Sequence, residues 1–254
     1  MTSILKRNRI KDTVSFILGI LLLGFLIQFA GSLKGDRLVF PGVPEILKAF
    51  FRMLGRPETY RLILTSMKHL IQSLAVASVI GIFVGILEGY SDLVRSLLKP
   101  FMIFLRSIPM IVMVVIIMVL TKYTRVPIIA TTLFLIPLIS EAVCEGYRNL
   151  DPNLIDVYRL NGSFSMYVMT HVHLPLMAGY LKQAYISSVG MGLKLVVSTE
   201  YLVQTRNSLG KAVYSSSYFN EYEEIYAYAL IMIALVLIVS WIPALITKVF
   251  RRKA

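Results

Sequence analysis

Long apolar runs alternate with short polar segments along almost the whole chain. A transmembrane helix needs about 20 mostly apolar residues to cross roughly 30 Å of hydrocarbon. Runs that reach or approach this length occupy residues 14–30, 70–87, 100–120, 126–144, 176–203 and 225–249. The pattern therefore predicts an all-α integral membrane protein with about six transmembrane helices. We expect them to form a single transmembrane domain over residues 1–254.

The first apolar run, at 14–30, follows a basic start that includes Lys6, Arg7 and Arg9. A cleaved signal peptide shows the same order of features, and its cleavage region here would be Ala30-Gly31-Ser32. The apolar core of a signal peptide is usually only about 7–15 residues long. The greater length of this run favours a membrane anchor.

Basic residues also close the chain, at Lys248, Arg251, Arg252 and Lys253. An even number of spans places both termini on one side of the membrane, and the positive-inside rule predicts that this side is the cytoplasm. The segment 33–68 then lies outside, although it is also basic, which the rule does not predict. Within this segment, Pro44 to Leu54 is expected to form a short amphipathic helix.

The composition supports a membrane protein over a soluble one. Hydrophobic residues make up 57% of the chain and charged residues 16%, whereas a soluble domain averages about 45–50% apolar and about 25% charged. A soluble fold of this size would leave much of that apolar surface facing water. The net charge of +12 could indicate nucleic acid, but basic residues also flank membrane helices. We therefore expect the lipid bilayer, and no nucleic acid, as a partner.

The sequence offers little chemistry for catalysis. Gly210-Lys211 is followed by Ala212 and lacks the upstream glycine of a P-loop, so we expect no nucleotide site. His171 and His173 would point to opposite faces of a helix and form no metal pair. We expect no enzyme activity, no metal and no cofactor in this chain. A transport or scaffold role fits these features better.

The polar segment 145–175 carries the most specific signals. Asp151 can cap a helix, Pro152 suits its first position, and Asn161-Gly162 supplies a stop. The predicted helix has about ten residues and a length of about 15 Å, which is too short to cross a membrane. One of its faces is apolar, with charged side chains on another. It is expected on the cytoplasmic side, where it would dock a partner or merely connect two spans along the membrane surface.

The order of Asp151-Pro152, Leu154-Ile155, Gly162 and Leu174-Pro175 resembles the signature cytoplasmic loop of permease subunits of binding-protein-dependent ABC importers. It is most similar to the sulfonate, taurine and nitrate permease branch, which also includes subunits for vitamin precursors. Further motifs between Lys68 and Tyr214 resemble the same branch. They include His69-Leu70, Gly81, Gly85, Gly89, Leu105-Arg106, Ile108-Pro109, Glu200 and Ser208-Leu209-Gly210. The chain departs from the family at Asp156-Val157-Tyr158, where Glu-Ala-Ala is preferred.

The resemblance implies a set of partners for this chain. Two permease subunits, identical or paralogous, would form the pore, and a cytoplasmic ABC ATPase dimer would carry ATP and Mg. An extracytoplasmic solute-binding protein would deliver a small organic anion, of sulfonate or nitrate type, or a vitamin precursor. The location implied is the bacterial cytoplasmic (inner) membrane. The residues implied to couple to the ATPase are Asp151, Pro152, Leu154, Ile155, Asp156, Val157, Tyr158, Arg159, Gly162, Leu174 and Pro175.

Polar residues inside the apolar runs are candidates for the solute pathway. Each charge at a span centre costs about 2.5–3.5 kcal/mol on insertion scales and faces protein or water. The candidates are Arg106, Lys194, Ser198 and Glu200. Arg106 either faces the pathway or snorkels to the membrane surface, and Lys194 either lines the pathway or forms a structural salt bridge. If Lys194 does face the pathway, an anionic solute is favoured.

Two other functions remain compatible with an apolar polytopic chain. A stand-alone secondary transporter would be expected to show inverted repeats and a discontinuous helix pair, and the sequence shows no clear internal repeat. A membrane-embedded enzyme or assembly scaffold would gather polar residues at one membrane interface.

Overall fold

The computed structural model describes residues 39–150 and 173–250, together with Gly19, Leu22 and Phe29, and it describes side chains as far as Ser240. Every regular element in this part of the chain is helical. The α-helices are α1 (Val43–Leu54), α2 (Pro57–Tyr90), α3 (Asp92–Ser107), α4 (Met110–Leu120), α5 (Val126–Arg148), α6 (Leu174–Leu176), α7 (Ala178–Val203), α8 (Leu209–Tyr218) and α9 (Tyr222–Phe250). A 3₁₀ turn, Tyr123–Arg125, precedes α5.

The described helices fit the predicted all-α membrane fold. Four stretches are long and apolar enough to cross a membrane: Pro57–Tyr90, Tyr123–Arg148, Ala178–Val203 and Tyr222–Ser240. A fifth is present if α3 and α4 together make one span. The predicted span at 14–30 lies outside the described residues, so the count of about six stays a prediction. The amphipathic helix expected at Pro44 to Leu54 is confirmed as α1.

The apolar run at 100–120 is not one straight helix. It is divided between α3 and α4, which are bent by 100° relative to each other. Ile108 has extended backbone angles, φ −66° and ψ 128°, as expected for a residue that precedes proline. Pro109 lacks a backbone N–H and cannot continue the helical hydrogen bonding of α3, so a new helix begins after it.

Glycines of α2 allow close contact with α5. Gly81, Gly85 and Gly89 recur every four residues and therefore share one face of α2. A Cβ atom at Gly85 would lie 2.5 Å from the Ser140 carbonyl oxygen, and one at Gly89 would lie 2.8 Å from the Tyr147 Cβ. Small residues at this spacing let two membrane helices approach closely. A buried apolar cluster lies around this contact, formed by Ala77, Leu135, Ile136, Ile139, Val143 and Met177.

The chain divides into two compact units. One comprises Met1–Thr59 with Val213–Ile231, and the other comprises Tyr60–Ala212 with Met232–Ala254. The first unit contains α1 and an ion pair between Arg56 and Glu224. The second contains most of α2, α5 and α7, with the buried cluster between them. A single domain over 1–254 stays a prediction.

Candidate functional site

Four polar residues and one methionine follow one exposed stripe along α7. Gln183, Ser187, Met191, Lys194 and Ser198 are all exposed, although α7 is a candidate membrane span. At about 100° per residue, these positions fall within roughly 80° of one another around the helix axis. We call these five residues the α7 stripe. It places two of the predicted pathway residues, Lys194 and Ser198, on the same face.

The opposite side of α7 is packed inside the chain. Ser188, Leu193, Val196 and Thr199 are buried. Sequence analysis identified Lys194 and Ser198 singly and missed the stripe, although a period of 3.6 residues already aligns its members. The sequence does not show which face of α7 packs inside the chain and which one is exposed.

The exposure of the α7 stripe has an energetic consequence. A lysine at a span centre costs about 2.5–3.5 kcal/mol on insertion scales when it faces lipid. The described part of the chain offers Lys194 no hydrogen-bond or ion-pair partner. The stripe is therefore suited to face water or another subunit rather than acyl chains.

Glu200, the third polar candidate on α7, lies elsewhere. Its side chain is fully buried, and Ser66 donates a hydrogen bond of 2.7 Å to its Oε2. The backbone N–H of Gly210 donates to the same oxygen at 3.2 Å. Nδ1 of His69 lies 2.7 Å from Oε1. We call Glu200, Ser66, His69 and Gly210 the Glu200 network.

The Glu200 network connects three helices, since its members come from α2, α7 and α8. Ser66 adds a further link, because its Oγ accepts a 3.0 Å hydrogen bond from the Leu209 N–H. Gly210 sits so close to α7 that a Cβ atom would overlap the Val197 carbonyl oxygen and the Glu200 side chain. Both carboxylate oxygens of Glu200 thus have partners inside the chain. In the sequence, His69 and Gly210 belong to motifs of the family resemblance, whereas no local pattern marks Ser66.

Arg106, the fourth candidate, joins α3 to α5. Its Nη2 lies 2.6 Å from the Glu141 carboxylate and donates a 3.0 Å hydrogen bond to the Pro137 carbonyl oxygen. Both charged side chains are about half exposed, at 44% and 49%. Sequence analysis missed Glu141, because the pairing depends on how α3 and α5 pack.

The Arg106–Glu141 pair borders a cavity of about 440 Å³ that runs along α2, α3 and α5. Both signs of charge line it: the acidic residues are Glu88, Asp92, Glu141 and Glu145, and the basic ones are Arg95, Lys99 and Arg106. Glu88 is buried and accepts a 2.8 Å hydrogen bond from Ser140. Apolar side chains, Met102 and Ile103 among them, line the cavity together with these charges.

The two ends of the predicted coupling segment lie side by side. The ring centroids of Tyr147, near the end of α5, and His173, just before α6, are 5.4 Å apart. A Cβ atom at Gly146 would contact the Met177 side chain at 3.3 Å. The chain thus leaves α5 and returns to α6 and α7 at one place.

An ion pair reinforces this end of the helices. Arg148, the last residue of α5, lies 2.6 Å from Asp92 at the start of α3. Of the predicted coupling residues, Leu174 is half-buried and Pro175 is exposed, both in α6. Residues 151–162, which hold all the others, lie outside the described residues.

Within the described ranges, no group of three or more His, Cys, Asp or Glu side chains could hold a metal ion. The two buried carboxylates named above, Glu200 and Glu88, instead accept hydrogen bonds from protein groups.

Residues 77–254 match the family model for the binding-protein-dependent transport system inner membrane component. The match covers most of the chain, and the chain belongs to this family. It is accordingly a multi-pass membrane protein and a permease subunit of an ABC importer, a class of transporter whose ATPase is a separate subunit.

Related proteins and solved structures agree with this assignment. A probable ABC transporter permease of Brucella melitensis biotype 1 is 24% identical over 198 residues, which cover 76% of this chain and 80% of the relative. A probable permease of Brucella abortus strain 2308 is also 24% identical, over 76% of this chain and 78% of its own length.

Two solved ABC transporters share the fold. An inward-facing methionine ABC transporter, MetNI, matches with a TM-score of 0.64 and 19% identity, over 77% of this chain and 98% of the matched chain. A bacterial ABC transporter involved in the import of the acidic polysaccharide alginate matches with a TM-score of 0.63 and 13% identity, over 95% and 98% of the two chains.

Proposed function

We propose that the α7 stripe forms one wall of the translocation pathway in a binding-protein-dependent importer. The observation that carries this proposal is a row of exposed side chains, four of five polar, along a helix that is apolar enough to span the membrane. Lipid is a poor neighbour for such a row, because hydrocarbon offers no hydrogen-bond partners. The row gains partners if it faces a water-filled path shared with a second permease subunit, identical or paralogous.

The solute class follows from the charge of the α7 stripe. Lys194 is its only ionic residue, and Gln183, Ser187 and Ser198 add neutral hydrogen-bonding groups. A cation with hydroxyl and amide neighbours favours a small anion with several oxygen acceptors. We therefore infer a small organic anion of sulfonate or nitrate type, or a vitamin precursor, as the sequence resemblance also implies.

The matched structures show that the fold by itself does not set the solute. One transports methionine and the other takes part in the import of alginate. An extracytoplasmic binding protein would select the solute and deliver it to the α7 stripe. We place the chain in the bacterial inner membrane with both termini in the cytoplasm.

Coupling to ATP hydrolysis is assigned to the segment between α5 and α7. A cytoplasmic ATPase dimer, which carries ATP and Mg, would bind the predicted helix at 151–162, and Leu174-Pro175 would lead back into α7. The contact of Tyr147 with His173 supports this assignment, because a displacement of the segment would pull on α5 and α7 together.

The pathway proposal predicts a transport defect for Lys194→Gln. Loss of a charge-assisted hydrogen bond to an anion costs about 1.5–3 kcal/mol, so uptake should fall about 10-fold or more. The measurement is ATP-dependent uptake by the complete transporter in vesicles loaded with its binding protein, across a panel of sulfonates, nitrate and vitamin precursors.

The matched control is Lys182→Gln, which removes the same charge from the same helix at a position outside the α7 stripe. Uptake by this variant should stay within about twofold of the parent, since a half-buried position off the stripe makes no such contact with the solute. Equal uptake by the Lys194 variant and the parent for every solute in the panel would contradict the pathway role.

A further inference from the structure

Helix α1 has an apolar surface that faces outward and is not covered by the rest of the chain. Ile46, Ala49 and Met53 form its buried side. Beside them, Leu47 and Phe51 are 44% and 67% exposed. The α1 helix thus carries more apolar surface than the fold covers.

Two basic side chains lie next to this apolar strip. Lys48 and Arg52 are both exposed, and at about 100° per residue they share the adjacent face of the helix. We call Leu47, Phe51, Lys48 and Arg52 the α1 outer face. A basic strip beside an apolar one is typical of helices that lie in the plane of a membrane surface.

Two other charges nearby already have partners. The Glu45 carboxylate accepts a hydrogen bond from the Gly42 N–H and so caps α1. Nη1 of Arg56 lies 3.1 Å from the Glu224 carboxylate. Within the described ranges, Lys48 and Arg52 have no ion-pair partner. Their charges are therefore available to an anion outside the chain.

The connections of α1 place its C-terminal end at a membrane boundary. Only Gly55 and Arg56 separate it from α2, a candidate span. Through Arg56, the same point is tied to Glu224 in the first turn of α9, another candidate span. The apolar run of α9, predicted to begin at residue 225, thus starts beside the end of α1, which is where the headgroup region of a bilayer would lie.

We infer that the α1 outer face binds the bilayer surface through anionic phospholipid headgroups. Leu47 and Phe51 insert at the boundary of the acyl chains, while Lys48 and Arg52 extend their aliphatic stems along it and place their charges on lipid phosphates. This assignment gives a role to basic residues of the segment 33–68, whose charge the positive-inside rule does not predict. It requires only that the chain spans a membrane, and it is independent of the solute and of the pathway.

A fluorescent reporter at Phe51 tests this inference in the complete transporter. Cys144 is the only cysteine of the chain, so a Cys144→Ser background allows single labelling of Phe51→Cys with an environment-sensitive dye. The labelled transporter is reconstituted in vesicles of equal parts phosphatidylcholine and phosphatidylglycerol, and in vesicles of phosphatidylcholine alone. Nitroxide lipids labelled near the headgroup should quench the dye more than lipids labelled at the chain end.

Charge variants then test the lipid phosphates. In the vesicles that contain phosphatidylglycerol, headgroup-labelled lipids should quench the dye more than chain-end-labelled lipids do. Lys48→Gln with Arg52→Gln should remove at least about half of this difference, because each basic residue near an anionic surface contributes favourably to binding it. Lys122→Gln with Arg125→Gln removes the same charge from other exposed positions and should leave the quenching unchanged. If labelling at Phe51 prevents assembly, Leu47→Cys provides a second reporter on the same strip.

Two results would overturn the inference. Quenching by aqueous iodide without quenching by nitroxide lipids would show that the α1 outer face points to water, where a soluble protein such as the binding protein could dock. A dye shielded from both quenchers would show that another subunit covers this face.

Discussion

At the scale of single residues, the glycines of α2 show how strongly packing limits substitution. Gly85 faces the Ser140 carbonyl oxygen and the Val143 side chain of α5 at contact distance. Gly179, near the start of α7, has open space around it, with no atom within 4 Å of a Cβ position. The same residue type therefore has a packing role at one site and none at the other.

This difference predicts opposite effects of two alanine substitutions. Gly85→Ala should destabilise the protein by about 1–3 kcal/mol, because a methyl group would force α2 away from α5. Gly179→Ala should be neutral or slightly stabilising, since alanine is favoured over glycine in helices by about 1 kcal/mol. Thermal denaturation in detergent, with size-exclusion chromatography as the readout, measures the stability of both variants. An equal denaturation temperature for the Gly85 variant and the parent would contradict the close helix contact.

Single residues also show where sequence reasoning ends. Lys194 and Glu200 both attract attention as ionic residues in one span, and their separation of six residues places them about 120° apart around a helix. The sequence therefore indicates that they face different directions. Only the packed structure shows that Glu200 points inward to Ser66 and His69, while Lys194 points outward.

At the scale of elements, the segment between α5 and α7 is held at both ends. Tyr147 contacts His173, and Arg148 pairs with Asp92 of α3. If the predicted helix at 151–162 follows the motion of an ATPase, these contacts transmit it to the spans. The stiffness of its ends then matters, and Gly162 supplies the predicted stop at one of them.

The coupling role predicts a specific defect for Gly162→Val. A β-branched residue disfavours the left-handed conformation that ends such a helix, so the connection to α7 would be displaced. Uptake should fall by about 10-fold or more while ATP hydrolysis by the complex continues, corresponding to about 1.4 kcal/mol or more of lost coupling. Parallel assays of uptake and hydrolysis in vesicles measure the ratio of solute taken up to ATP hydrolysed.

Gly179→Val is the control for Gly162→Val, because it adds the same side chain on the other side of the segment, where the structure leaves room. It should keep hydrolysis and uptake linked. A Gly162 variant with normal uptake per ATP would remove the segment from the coupling path.

Elements also differ in how far hydropathy predicts them. The amphipathic helix α1 was recognisable because its buried residues recur at helical spacing. The break between α3 and α4 was harder to predict, since the run 100–120 is apolar on both sides of it. Pro109 is the local signal, but proline also occurs inside membrane helices, as Pro137 does in α5.

At the scale of the whole molecule, the Glu200 network joins helices that are far apart in the sequence. Ser66 and His69 belong to α2, Glu200 to α7 and Gly210 to α8. A buried carboxylate is tolerated only when hydrogen bonds and nearby polar groups compensate its lost hydration. The network therefore makes the arrangement of α2, α7 and α8 depend on one side chain.

Glu200→Ala should strongly destabilise the fold. Its loss leaves the Ser66 hydroxyl and the Gly210 N–H without their acceptor, and each buried donor left unsatisfied costs about 1–3 kcal/mol. Glu200→Gln, which keeps the shape and one acceptor oxygen, should be affected less. Thermal denaturation in detergent again provides the measurement, with the exposed Glu221→Ala as control. A Glu200→Ala variant as stable as this control would show that the network is dispensable.

The sequence predicted the membrane class, the family and most helices, because hydropathy and local motifs determine them. It could not predict contacts between distant segments, such as Arg106 with Glu141 or Arg56 with Glu224. These pairs depend on how helices pack, and hydropathy does not indicate which acidic residue meets which basic one.

Thiol accessibility along α7 tests the pathway proposal most directly. In a Cys144→Ser background, single cysteines replace the α7 stripe residues Ser187, Lys194 and Ser198, and the buried positions Ser188 and Val196. A membrane-impermeant thiol reagent is applied to the complete transporter in vesicles. We expect reaction at the three stripe positions, slowed when ATP and the loaded binding protein are present, and no reaction at the two buried ones. Reaction of the stripe positions only with a lipid-soluble reagent would show that α7 faces the bilayer and would contradict the pathway.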